Sequence, residues 1–79
     1  MIYLQLGFFQ IIGKIFVEYG SNSFSYRRIM EKKSIEGYDW SVHNRLIRKG
    51  YIIKKGKPKV GDPQLYVLTQ KAKNTKGRW

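Results

Sequence analysis

The chain has no cysteine, one histidine, two prolines and only five acidic residues among its 79. Without thiols, no disulfide can staple the fold and no thiolate can hold a metal. The lone His43 and the dispersed carboxylates Glu18, Glu31, Glu36, Asp39 and Asp62 make no evident acid–base pair or ligand cluster. Eight glycines are present, yet none falls in a Gly-x-Gly-x-x-Gly or Walker-type phosphate loop. The expectation is a protein that is not an enzyme and needs neither cofactor nor metal, with no small-molecule substrate evident.

Long apolar runs are lacking too. Gln5, Gln10, Lys14 and Glu18 interrupt the apolar N-terminal stretch, whereas a membrane span wants about 20 predominantly apolar residues. The first basic residue is Lys14, and a secretory leader carries its charge ahead of the apolar stretch. A soluble, cytoplasmic protein without membrane attachment is expected.

Positive charge is what the sequence has in excess. Sixteen Lys and Arg give a net charge of +11, while 42% hydrophobic and 15% aromatic residues suffice for one modest core. Length allows a single domain over 1–79, with its core at about 6–74 and a basic tail at 75–79. The charge is uneven. Through Asn44 five basic residues face four acidic ones, whereas from Arg45 onward eleven face Asp62 alone. Such asymmetry points to a polyanionic partner, against the plainer reading of a solvated lysine-rich face.

Apolar residues between Leu6 and Tyr19 fit a helix, with Gln10, Lys14 and Glu18 as its polar stripe. Its apolar arc spans roughly 160°, more than one buried face requires. Gly20 to Ser23 is turn chemistry, and Phe24 lies in a short extended piece. Ser25 then suits the N-cap of a helix from Tyr26 to about Lys33, and Asp39 that of a helix from Trp40 to Lys49. Gly50 suits the left-handed stop. In the third helix Val42, Leu46 and Ile47 face inward, while Ser41, Asn44, Arg45 and Arg48 share the opposite face. Tyr51–Lys55 and Gln64–Leu68 are β-rich and flank a basic loop, Gly56 to Pro63, that holds both prolines. Thr69 can cap a last helical turn, and Lys73 to Trp79 reads as a frayed tail.

The order of helix, short strand, helix, turn, helix and basic hairpin resembles the winged helix-turn-helix domain, an α+β fold of three helices and a C-terminal hairpin wing. Leu46-Ile47-Arg48-Lys49-Gly50-Tyr51-Ile52 is similar to that family's exit from its recognition helix. Tyr66-Val67-Leu68-Thr69-Gln70-Lys71-Ala72 is similar to the end of the wing in MarR- and PadR-type transcriptional regulators. The long dimerisation helices of those regulators have no room here. Stand-alone domains this short resemble regulators carried by archaeal viruses and plasmids.

The resemblance implies sequence-specific binding of double-stranded DNA by a small transcription regulator. Helix 40–49 would enter the major groove and wing 54–63 would lie on the backbone or in the adjacent minor groove. The residues agree. Asn44 suits bidentate pairing with adenine, and Arg45 or Arg48 with guanine. Trp40 and Ser41 lie near a phosphate or a thymine methyl, with core packing the other reading of Trp40. Lys54, Lys55, Lys57 and Lys59 suit phosphates. Arg27 and Arg28 oppose the dipole of their helix unless an anion docks there, or else lean into water. For His43, packing inside the fold is the reading preferred over a DNA contact.

Two other functions compete. RNA or single-strand binding wants exposed aromatics in a basic groove, for which Tyr38, Trp40 and Trp79 qualify. A protein–protein adaptor is the other, although it has no need of a lysine-rich hairpin. A homodimer through residues 1–19 is expected, because Met1, Ile2, Tyr3, Leu4 and Leu6 extend an apolar arc already too wide for one core.

Overall fold

The computed structural model describes residues 7–79. Over that range the chain is α+β, with four α-helices and a three-stranded antiparallel sheet. Helix α1 (Phe8–Tyr19) starts at Gly7, whose N–H donates to Gln10 Oε1 at 2.7 Å. Strand β1 (Phe24–Ser25) runs directly into α2 (Tyr26–Lys32), where Ser25 Oγ accepts from the Arg28 N–H at 3.0 Å. Helix α3 (Trp40–Arg48) is capped by Asp39 Oδ1, which accepts from the Val42 N–H at 2.9 Å. Thr69 Oγ1 does the same for Ala72 ahead of α4 (Gln70–Lys73). All three side-chain caps fall where the sequence places them, each satisfying a backbone donor that a helix start leaves orphaned.

Strands β2 (Ile52–Lys54) and β3 (Leu65–Leu68) form a hairpin, and β1 joins on the far side of β3, giving the order β1-β3-β2. The register sets Phe24 and Lys54 on either side of Tyr66, and Ile52 beside Leu68. Since side chains alternate across a strand, one face turns Phe24, Tyr66, Leu68 and Ile52 into the core, and the other shows Ile53 and Leu65 to solvent. Ile12 and Ile15 of α1, Ile29 of α2 and Leu46 of α3 complete that core from above. Each side chain buried so completely contributes about 1.5–3 kcal/mol.

Segment 75–79 differs from the frayed basic tail expected. Residues Lys76–Arg78 form a 3₁₀ turn that carries Trp79 onto α1. The indole lies 5.0 Å from the Phe16 ring, and its Nε1–H donates to Thr75 Oγ1 at 2.8 Å. Gly13 makes room for it, since a Cβ there would stand 2.8 Å from Trp79 Cγ. A glycine in mid-helix costs about 1 kcal/mol relative to alanine, and here close packing against the indole offsets that cost.

The same packing absorbs the wide apolar arc of α1. Tyr51 meets Phe8 and Phe9 at 5.5 and 6.3 Å, the Arg78 guanidinium covers the Phe9 ring, and Trp79 covers Gly13 and Phe16. Val17, 81% exposed, is the large apolar residue of α1 left uncovered. Residues 1–6, on which the pairing expectation also rests, lie outside the described residues. No helix among the described residues is long and apolar enough to cross a membrane.

Candidate nucleic-acid interface

Helix α3 divides cleanly along its length. His43 and Leu46 are buried, Val42 and Ile47 pack partly against the core, and Ser41, Arg45 and Arg48 are exposed. Asn44 is half-buried at the edge of the exposed face. Arg45 leans toward α1, its guanidinium 5.9 Å over the Phe8 ring. The helix thus presents a polar, cationic face whose two ends are anchored.

At the N-terminal end the anchor is aromatic. Trp40 is 58% exposed, yet its ring stacks on His43 at 5.5 Å and meets the edge of Tyr26 at 5.0 Å. One part of the Trp40 ring therefore packs on its neighbours while the rest stays exposed. His43 lies buried on the inward face, with Tyr66 of β3 edge-on at 4.8 Å. Tyr38 Oη lies 2.6 Å from His43 Nδ1 in a buried contact. Burial holds the imidazole below its ordinary pKa and raises that of the Tyr38 hydroxyl, with Tyr26 and Tyr66 adding to the latter. The phenol keeps its proton and the imidazole stays neutral, and the two share one buried hydrogen bond between Oη and Nδ1.

The C-terminal anchor comes from the segment after the hairpin. Gly50, at φ 78°, takes the left-handed stop. Thr69 Oγ1–H donates to the Gly50 carbonyl at 2.7 Å, and the Lys71 ammonium donates to that of Lys49. A cation on the last carbonyls of a helix complements its dipole.

Beyond α3, Lys54, Lys55, Lys57 and Lys59 are all exposed on β2 and its loop. Three of them, Lys55, Lys57 and Lys59, line one concavity of about 240 Å³ together with Asp62. Lys54, on the strand itself, is not among them.

Arg27 and Arg28 form a separate group. Both line an open cleft of about 610 Å³ where the start of α2 meets the base of the hairpin at Pro63 and Leu65. Arg27 is engaged there by Glu31 at 3.1 Å, one turn along the exposed side of α2. Arg28 forms no ion pair among the described residues. Lys32, which the sequence did not single out, pairs with Glu18 of α1 across the same cleft.

Two of the aromatics considered as single-strand stacking platforms are otherwise engaged. Tyr38 is buried against His43, and Trp79 is packed on α1. Among the described residues no group of three or more His, Cys, Asp and Glu is placed to hold a metal ion.

Comparison with protein-family models, with curated proteins and with solved structures finds no match for this chain. The functional reading therefore rests on geometry and charge.

Proposed function

We propose that the chain is a sequence-specific double-stranded DNA-binding protein of the winged helix-turn-helix kind, a small cytoplasmic transcription regulator. The observation that carries this is the exposed α3 face of Ser41, Arg45 and Arg48, edged by Asn44, followed at once by a hairpin with four exposed lysines. A rigid helix with outward arginines suits base edges in the major groove, and lysines suit phosphates. Support also comes from the element order and from the sheet order β1-β3-β2, which sets the hairpin beside the helix pair. Trp40 and Ser41, in the first turn of α3, stand where a recognition helix meets phosphate or a thymine methyl. Arg28 reaches the backbone from the start of α2.

A single-strand or RNA function is disfavoured, because Trp40 alone of its three candidate platforms remains available for stacking. An adaptor function leaves the lysines without a role.

In this proposal two copies pair through residues 1–19 and set two α3 helices about one DNA turn apart, ~34 Å. A groove of about 300 Å³ along α1 is lined by Val17, Gly13 and Trp79 together with Gln10 and Lys14 of the polar stripe, and Val17 is the exposed apolar residue it offers a second copy.

Titrating a random duplex library at increasing salt tests the reading. If about five cations per chain reach phosphates, log K falls against log salt with a slope of about −4 to −5. A flat salt response, or no binding at low salt, overturns it.

A further inference from the structure

Arg45 and Arg48 are both exposed on α3, but they are not placed alike. At about 100° per residue, Arg48 lies about 20° from Ser41 on the side of Asn44, in the middle of the outward face. Arg45 lies about 40° from Ser41 on the other side, at the flank. That flank meets the start of α1. There Phe8, Phe9 and Tyr51 form one cluster of rings, with centroids 5.5–6.3 Å apart. Each ring carries an exposed cation. The Arg45 guanidinium is 5.9 Å over Phe8, the Arg78 guanidinium 5.0 Å over Phe9 and the Lys71 ammonium 4.8 Å over Tyr51. Arg48 has no ion pair and no ring beneath it among the described residues.

We infer that Phe8 is a positioning residue that holds Arg45 against the DNA backbone, so that guanine is read by Arg48 alone. The inference rests on the DNA-binding reading above, in which both arginines face the duplex, and divides their work. The major groove is ~12 Å wide and a helix with its side chains ~10–12 Å across. A helix seated there has the groove floor under the middle of its outward face and phosphates along its flanks. A guanidinium laid over a ring gives that ring one face and keeps its N–H edges for an oxyanion alongside. The ring also restricts rotamer freedom that a phosphate contact must otherwise remove. Arg48, with no such support, extends to the floor, where guanine O6 and N7 accept from its paired donors.

The experiment takes the duplex enriched from a random library and replaces each guanine in turn by 7-deazaguanine. That base keeps its pairing and its O6 but lacks the N7 acceptor. The protein is expected to lose roughly tenfold in affinity at the guanine that is read. Arg48→Ala should bind the guanine and 7-deazaguanine duplexes equally. Arg45→Ala should keep the tenfold difference, weaken both duplexes alike and flatten the salt slope by about one unit. Phe8→Leu should weaken both about two- to fivefold, the range of an exposed cation–π pair, and Phe8→Tyr should not. In an Arg45→Ala background Phe8→Leu should add nothing. Loss of the 7-deazaguanine effect in Arg45→Ala overturns the inference, and so does a Phe8→Leu defect that persists in that background. Binding with no guanine sensitive to the replacement sinks this inference alone, whereas no binding to any duplex sinks the DNA-binding reading together with it.

Discussion

Tyr38 and His43 share a buried hydrogen bond of 2.6 Å that fixes the inner face of α3 against the turn before it. Both groups are held in their neutral forms, and stability inherits a pH dependence from each. Burial lowers the His43 pKa, so below about pH 6.5 the unfolded chain binds more protons and stability falls as pH drops. Burial raises the Tyr38 pKa, so above about pH 10 the unfolded chain releases a proton that the folded one keeps, and stability falls again. Urea unfolding across this range should give a plateau between the two limbs. His43→Phe should flatten the acid limb while lowering the plateau by about 1–3 kcal/mol, because Tyr38 loses its buried hydrogen-bond partner. An acid limb unchanged in that variant would assign it to other groups.

The helix and the hairpin should separate specificity from affinity. Asn44→Ala or Arg48→Ala is expected to lose about 1–3 kcal/mol on the preferred site and much less on random DNA. Lys57→Ala should weaken both alike and flatten the salt slope by about one unit. Binding isotherms on the two DNAs check this, and the opposite pattern would mean the roles are assigned backwards.

Trp79 closes the fold over Gly13. Gly13→Ala removes a helix penalty of about 1 kcal/mol but drives a methyl into the indole, so it should destabilise the protein and shift Trp79 fluorescence. Trp79→Ala should cost about 3–5 kcal/mol if the site behaves as core, and the lower end is expected because the indole is only partly buried. Thermal unfolding measures both. A stabilised Gly13→Ala protein would show that the indole is easily displaced.

Pairing through residues 1–19 predicts a dimer twice the 9.4 kDa chain mass in light scattering. Val17→Asp, at an exposed position of α1, should shift it toward monomer without lowering the unfolding temperature. A wild-type monomer both free and at one copy per DNA site would exclude the dimer.

Local chemistry made much of this fold legible. Ser25, Asp39 and Thr69 were readable as caps because a cap is decided by neighbours three residues away. The exposed set on α3 was readable from i, i+3 and i+4 spacing, though spacing alone did not show that Arg45 would lean over Phe8. Segment 75–79 was misread because its structure depends on a contact with Gly13 at the other end of the described chain. The one local signal was a glycine inside a strong helical pattern, which often marks close packing. Tyr38 sits in a turn that reads as polar, and only the placing of β3 and α3 decides that its ring goes under His43.

Among the described residues the sheet order β1-β3-β2 leaves two outer strands, one of two residues running straight into a helix and one of three ending in Lys54. A flat, long outer strand is a template on which other chains add and aggregate. Here neither edge offers more than a few backbone groups, and a cation stands on the longer of them. Fibrillar self-association through the native sheet is thereby suppressed, and the exposed Ile53 and Leu65 can remain on its outer face without recruiting further strands.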